Sequence, residues 1–353
     1  MSGRILVLTK YGHLGGSSRY RFYQYLPFLK SQGFDITVAP LLNNKYINDL
    51  NSGKRNLGDI LSLYFQRLSG SFRHRNYDLL WIEKELLPYA PAWLEKKIVR
   101  NIPYVVDYDD AQFHAYDRSK FKLIRLLLSN KIDSVMSNAR LVVAGNQYIA
   151  DKATKAGAKR VAIIPTVIDL DRYSRKDYIT NSKSFNVGWI GSPTSSVYLK
   201  SIQSVFRTLG RKYNCEFTIV GSGMLTIEDV KLTIKDWNEN SEVEDIKTFD
   251  VGIMPLSYTP WEKGKCGIKL IQYMACALPV VGTPVGVNQE IIQHGVNGFC
   301  ADTPDEWVEY LSKLAEDPNL RMEMGAKGRL MVESSYSLQV TAPKLADLLK
   351  SCI

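Results

Sequence analysis

Short apolar runs rich in β-branched residues alternate with longer amphipathic stretches along the whole chain. Arg4–Thr9 (RILVLT), Asp35–Leu41 (DITVAPL), Leu79–Glu83, Tyr104–Val106, Leu141–Gly145 and Val161–Thr166 read as strands. Asn186–Gly191, Glu216–Val220, Val230–Lys235, Asp250–Leu256 and Pro279–Val281 repeat the pattern further on. Near-continuous apolar runs of this length suit parallel strands covered on both faces. Between them, Leu57–Phe72 puts Leu57, Ile60, Leu61, Tyr64 and Leu68 on one helical face, and Ser335–Ile353 reads as a terminal helix. Strand–helix alternation predicts an α/β protein: two Rossmann-like parallel-sheet domains facing a central cleft. Residues 1–169 make the first domain and 185–335 the second. The linker is 170–184, which is polar, charged and aperiodic.

The richest stretch is Trp261–Gly286, WEKGKCGIKLIQYMACALPVVGTPVG: a loop, a helix from about Gly267, a buried strand and a second glycine loop. Leu270, Ile271, Met274, Ala275 and Leu278 form one apolar face; Lys269, Gln272, Tyr273 and Cys276 fall on the other stripe. Lys265 precedes the helix start, where free N–H groups and the helix dipole attract phosphate. Lysines so placed also suit a solvated helix face. Gly264 and Gly267 shift the reading toward a ligand, because so flexible a helix entry is not needed for stability.

Three motifs in order, Gln272–Val281, Gly286-Val287-Asn288-Gln289-Glu290 and Asn297-Gly298-Phe299, resemble the C-terminal domain of the family-4 glycosyltransferases, which have the GT-B fold. The resemblance is specific over the second domain and weaker over the first. It implies a retaining, metal-independent transferase using a nucleotide-diphosphate sugar, with the nucleotide in the second domain and the acceptor in the first. A helix at about 336–353 would then pack back on the first domain. The family's paired glutamates fall on Gly264 and Gln272, with Glu262 two residues early. Where the family has an arginine–lysine pair after the first strand of the second domain, this chain has Ser192 and no lysine until Lys200, so phosphate charge is assigned to Lys265 and Lys269. Gly15 and Gly16 match the family's glycine loop after the first strand. Asp109 and Asp110 stand where the family has a histidine–aspartate pair.

Composition narrows the classes. The five cysteines show no CxxC spacing, which argues for free thiols and against a zinc site. No apolar run nears the roughly 18 residues of a membrane span, and the chain runs almost directly into a strand, so no targeting segment is expected. GxGxxG is absent after the first strand, which counts against a nicotinamide or flavin enzyme. Net charge is +9, but residues 1–170 hold 25 Lys+Arg against 14 Asp+Glu, and the remainder 20 against 22. The basic half suits an anionic surface.

The candidate catalytic group is therefore Asp109, Asp110, Lys265, Lys269 and Glu262. Donor binding is assigned to Gly15, Gly16, Gly191, Ser192, Gly221, Gly223, Gly264, Cys266, Gly267, Gln272, Pro284, Val285 and Gly286. Arg19, Arg21, Arg67, Arg73 and Arg75 are assigned to an acceptor or membrane. His13, His114 and Trp237 are weaker candidates. No cofactor or metal is expected; the partners are a nucleotide-sugar, a glycan or lipid-linked acceptor, and an anionic membrane face, with no nucleic acid. The setting would be cytoplasmic, peripheral on the inner membrane face, in bacterial surface polysaccharide synthesis. Two other readings keep the fold: a nucleotide-sugar epimerase acting on donor alone, and a non-catalytic nucleotide- or carbohydrate-binding protein.

Overall fold

A computed structural model describes residues 3–51, 56–70, 76–100, 102–177 and 184–353. Two compact units divide the chain: Met1–Thr166 with Gly264–Cys266 and Thr341–Ile353, and Val167–Lys263 with Gly267–Val340.

The first unit holds a six-stranded parallel sheet of β1 (Arg4–Leu8), β2 (Asp35–Val38), β3 (Leu79–Glu83), β4 (Tyr104–Tyr108), β5 (Leu141–Ala144) and β6 (Val161–Ile163). Its order is β2-β1-β3-β4-β5-β6. β1, β3, β4 and β5 lie inside this sheet, and all but Arg4 of their residues are buried. That is why they read as unbroken apolar runs. The second sheet contains β7 (Phe185–Ile190), β8 (Cys215–Val220), β9 (Leu232–Lys235), β10 (Val251–Met254), β11 (Val280–Gly282) and β12 (Gly298–Cys300), in the order β12-β11-β10-β7-β8-β9. Both sheets are parallel throughout.

The two orders differ. The second is the 3-2-1-4-5-6 arrangement of dinucleotide-binding domains, whereas the first follows the flavodoxin-like order, extended by one strand. Each has a switch point where ligands of such sheets bind: β1/β3 in the first and β7/β10 in the second. Each unit has its own apolar core, one centred on Leu80, Val106, Tyr108 and Ile132, the other on Val187, Trp189, Phe206 and Ile253.

Apolar periodicity located the strands to within a few residues but missed β12 and many of the covering helices, two long ones among them. One is Pro304–Glu316, started by a capping box between Thr303 and Glu306; the other is Pro318–Ser335, capped by Asp317. The helix foreseen at Leu57–Phe72 is observed as Leu57–Gly70, and the terminal helix as Leu338–Lys350. Among the described residues no helix is long and apolar enough to cross a membrane.

Candidate functional site

In the first unit, chemistry collects at the carboxyl ends of β1, β3, β4 and β5. The loop after β1 is drawn onto β3: Lys10 N–H and the Ser18 hydroxyl both donate to Glu83 Oε2, at 2.7 and 2.6 Å. Closeness alone requires glycine at 15, since a Cβ there would lie 2.4 Å from Tyr11 Cβ. Gly16 opens the following helix with nothing near it. Burial pushes the Glu83 carboxyl up to about 6 against the pull of the neighbouring Lys84.

Lys84, which the sequence reading overlooked, is the centre of this edge. Its backbone has φ +61°, a left-handed conformation rare for a residue with a side chain. Its ammonium lies 2.9 Å from Asp109 Oδ1 and 2.7 Å from Asp110 Oδ2. Burial works against the Lys84 charge, but the two carboxylates outweigh it and hold its pKa well above the usual lysine value. Burial likewise opposes the Asp109 charge; Lys84, with a hydrogen bond from Ser17 and the Arg21 charge, outweighs it and lowers the pKa. Asp110 is the more open carboxylate, its side chain 24% exposed against 13% for Asp109. The signal was present in Glu83-Lys84-Glu85, three charges closing an apolar strand. Glu85 turns the other way, into a buried cluster with Lys131, Tyr116 and Gln112.

Three arginine assignments need correction. Arg21 is buried, its Nε 2.8 Å from Asp107 Oδ1 and its Nη1 donating to Ile164 O at 2.7 Å. Arg19 is buried beside the Tyr20 ring. Arg67 is buried too, donating to Thr9 O and Ala39 O at 2.7 and 2.9 Å. None presents a cationic surface to a membrane. A buried guanidinium must be paired or hydrogen-bonded, and here Arg21 and Arg67 tie their helices to strand and loop groups of the first unit. Arg73 and Arg75, with Lys54 and Arg55, lie outside the described residues.

Gly264–Cys266 also belongs to this unit. Asn146 caps the helix Gln147–Lys155 through Ile149 N–H and donates its amide to Gly264 O and Lys265 O at 2.9 and 3.1 Å. A Cβ on Gly264 would meet Ala111 N at 2.6 Å, and one on Gly145 would meet Cys266 Sγ at 2.4 Å. Packing alone requires glycine at both positions. Burial and the Asp109 charge push the Cys266 thiol up to about 12, so it stays protonated. His114 is engaged by Asp117 and the Tyr148 hydroxyl, whereas His13 is an exposed loop residue beside the Tyr23 ring.

The second unit has its own edge. β7 runs out into Gly191-Ser192 and β8 into Gly221-Ser222-Gly223. Gly221 (φ +77°) packs so closely that a Cβ would sit 2.4 Å from Gly191 O and 3.0 Å from Trp237 Cβ. Gly223 has φ +65°. Ser192 is exposed, its hydroxyl 3.0 Å from Thr194 Oγ1. The turn Thr283–Gly286 is tied by Val285 N–H to Thr283 O, and Gln289 donates to Pro284 O at 2.6 Å. Gly286 (φ +55°) closes that turn against the Lys263 backbone.

The central helix is Ile268–Ala275, entered through Gly267 at φ +65° with no side-chain cap. Its first-turn N–H groups point from an uncapped helix start. Lys269 stands in that first turn, its ammonium 5.5 Å from the Trp189 ring centroid. The stripe assigned away from the core is not open: Gln272, Tyr273 and Cys276 are all buried. Gln272 donates to the Tyr173 hydroxyl at 3.0 Å; Tyr173 donates to Glu242 Oε1 at 2.5 Å, and Trp237 to Glu242 Oε2 at 2.6 Å. Gln272 is thus corrected from donor ligand to part of a buried network. Glu262 is corrected likewise: it is buried and accepts hydrogen bonds from the Tyr198 and Thr259 hydroxyls. The Asn297-Gly298-Phe299 motif is architectural. Asn297 ties Ile291 O to Gln293 N–H, and a Cβ on Gly298 would lie 2.2 Å from Val280 O.

The architecture matches solved GT-B proteins. Sucrose-phosphate synthase from Thermosynechococcus elongatus is 12% identical, with TM-score 0.74 over 99% of this chain and 98% of that one. Anabaena HepE, solved with UDP-glucose, is 16% identical with TM-score 0.73, over 99% of this chain and 100% of that one. The fold is GT-B. Residues 185–317 match the family model for glycosyl transferases group 1, in keeping with the family-4 resemblance over the second domain. Among curated relatives, a Beta vulgaris sucrose synthase is 33% identical over 87 residues, 23% of this chain and 11% of that protein. The N-acetyl-alpha-D-glucosaminyl L-malate synthase of Bacillus anthracis is 34% identical over 77 residues, 21% of this chain and 20% of that protein. An uncharacterized glycosyltransferase of Methanocaldococcus jannaschii is 22% identical over 218 residues, 58% of this chain and 59% of that protein.

Proposed function

We propose that the protein is a retaining glycosyltransferase that moves a sugar from a nucleoside-diphosphate donor to a glycan or lipid-linked acceptor, without a metal, in the synthesis of a cell-surface polysaccharide. The observation that carries it is the uncapped start of the helix Ile268–Ala275, with Lys269 in its first turn, inside the group 1 glycosyltransferase domain. Uncapped N–H groups, the helix dipole and a lysine are a preorganised receptor for a departing diphosphate. The related Anabaena structure was solved with UDP-glucose, so UDP is the first donor nucleotide to try.

The step breaks the bond between sugar C1 and the diphosphate oxygen and joins C1 to the acceptor oxygen. The acceptor oxygen approaches C1 on the face the diphosphate leaves, which gives retention, and its proton passes to the departing phosphate oxygen. Lys269 stabilises the leaving charge, with Lys265 proposed as a second phosphate contact. Asp110, the more open carboxylate, orients a sugar or acceptor hydroxyl. Lys84, itself paired with Asp109, holds Asp110 in place.

The test is a melting-temperature series with UDP, GDP and ADP, followed by turnover of the matching sugars with and without acceptor. A ligand that binds only the folded state raises its melting temperature. Lys269→Ala and Lys265→Ala are each expected to weaken the diphosphate roughly ten- to hundredfold, on the scale of a hydrogen bond to a charged group, and to leave nucleoside binding unchanged. Turnover is expected to survive a chelator. Donor conversion without acceptor would replace this reading with an epimerase, and a strict manganese or magnesium requirement would overturn the assigned phosphate chemistry.

A further inference from the structure

The first unit leaves an apolar helix face bare. The helix Lys122–Leu128 (KLIRLLL) buries only one edge: Leu128 joins the first core and Ile124 packs against it. At 100° per residue, Leu126, Leu123 and Leu127 continue the same apolar arc away from that edge. They are 75, 65 and 67% exposed, and Phe121, just before the helix, is 71% exposed. Four large apolar side chains in seven residues, mostly bare, form a patch of the kind that marks an interaction surface rather than scattered surface leucines. Tyr89, itself exposed, adds an aromatic ring 5.6 Å from the ring of Tyr116, whose helix His114–Asp117 packs beside the bare one.

On the segment that carries the leucines the charge is one-sided. Arg118, Lys120, Lys122 and Arg125 are all exposed, and residues 118–130 contain no aspartate or glutamate. Lys122 and Arg125 flank the apolar arc on the helix itself. Leucines facing outward with cations at their border are the makeup of a helix that lies in a lipid headgroup region. The cations answer anionic headgroups while their methylene stems cover apolar surface. The same charge argues against a second copy as occupant, because two such faces brought together would oppose cation to cation.

We propose that Arg118–Leu127 docks the protein on an anionic lipid leaflet, with Phe121, Leu123, Leu126 and Leu127 inserted among the acyl chain tops. Arg67 of the helix Leu57–Gly70, also assigned to an acceptor or membrane, is buried and lends no charge to such a surface. The inference stands on the surface alone and does not depend on the transferase reading.

The experiment is co-sedimentation of the full chain with vesicles of phosphatidylglycerol in phosphatidylcholine, and with phosphatidylcholine alone. Wild type is expected to bind the anionic vesicles, to bind neutral ones at least tenfold more weakly, and to lose about tenfold on going from low to high salt. Leu123→Ser/Leu126→Ser/Leu127→Ser is expected to lose at least tenfold on anionic vesicles. These side chains are bare, so the melting temperature and its shift with UDP should match wild type. Lys120→Glu/Lys122→Glu, which leaves the apolar residues intact, should lose the salt-sensitive part. The proposal is overturned if wild type ignores anionic vesicles at low salt, or if both variants bind as wild type does. It is also overturned if wild type is a dimer that the serine variant converts to monomer, since the face then belongs to a second copy. Failure of UDP to bind would count against the transferase reading and leave this one standing.

Discussion

Lys84 holds a left-handed backbone at the end of β3 while its ammonium serves two carboxylates. A lysine in that conformation persists only where its surroundings over-determine it, and such strain collects at functional sites. The predicted variant is Lys84→Met, which keeps length and removes charge. Taking one partner from a buried ion pair costs about 3 kcal/mol or more, because the other charge stays buried and unpaired. The pH dependence separates this from simple packing loss. In wild type the Asp109 pKa is lowered, so its stabilisation is present above the ordinary aspartate pKa and is lost as pH falls through the lowered one. Without Lys84, burial dominates and the Asp109 pKa rises, so the variant gains relative to wild type as the carboxylate protonates. The deficit should be large at pH 7 and shrink toward pH 4, read from urea midpoints at both. An equal deficit at both values would make Lys84 a packing residue. Asp109 and Asp110 were legible in the sequence as carboxylates crowding a strand end. Lys84 was not, because its partners lie more than twenty residues away and only the β3–β4 pairing aligns them.

The strands were legible as elements because parallel strands buried on both faces show as apolar runs. What covers them was not. The helix Ile268–Ala275 was foreseen with one open stripe, yet Gln272, Tyr273 and Cys276 are buried. The helix Pro318–Ser335 packs on it, with Gly328 so close that a Cβ would lie 2.9 Å from Met274 Cγ; no local period announces a partner fifty residues downstream. The second sheet admits these neighbours through glycines in its own strands. A Cβ on Gly188 of β7 would fall 1.9 Å from the Phe249 ring, and one on Gly252 of β10 would fall 2.1 Å from the Tyr273 ring. Tyr273 in turn accepts the Ile190 N–H at 2.9 Å, so ring and strand are fixed together. Gly188→Ala should therefore destabilise by about 3 kcal/mol, the upper end of overpacking costs. Phe249→Leu should recover part of that in the double variant, since close pairs are not additive. Urea unfolding of the four proteins checks it; additive losses would show that the alanine is accommodated elsewhere.

Across the whole molecule, the charge count pointed to a basic half but overstated its surface. Arg19, Arg21, Arg67, Lys84 and Lys131 are all buried in the first unit, and buried cations answer to internal partners, not to a membrane. The cations at 118–125 are the exposed remainder that sits beside bare leucines. Chain order misleads in the same way, because the first unit is not contiguous. Its last piece, Thr341–Ile353, buries Leu345, Ala346, Leu349 and Cys352. Thr341 Oγ1 shares a 2.9 Å hydrogen bond with the buried Tyr25 hydroxyl, and Arg160 Nη1 donates to Ser351 Oγ at 2.6 Å. A chain ending at Val340 would expose that apolar surface at about 25 cal/mol per Å² and leave the Tyr25 hydroxyl without its partner. The second unit keeps its own pieces, Val167–Lys263 and Gly267–Val340. Deleting 341–353 should lower the melting of the first unit alone, splitting the calorimetric trace into two transitions. The later transition should still rise with UDP if the second unit holds the donor. Limited proteolysis should then cut first within residues 3–166. Loss of the UDP shift together with the tail would mean that the donor site draws on the first unit, and would move Lys265 ahead of Lys269 as the residue to test.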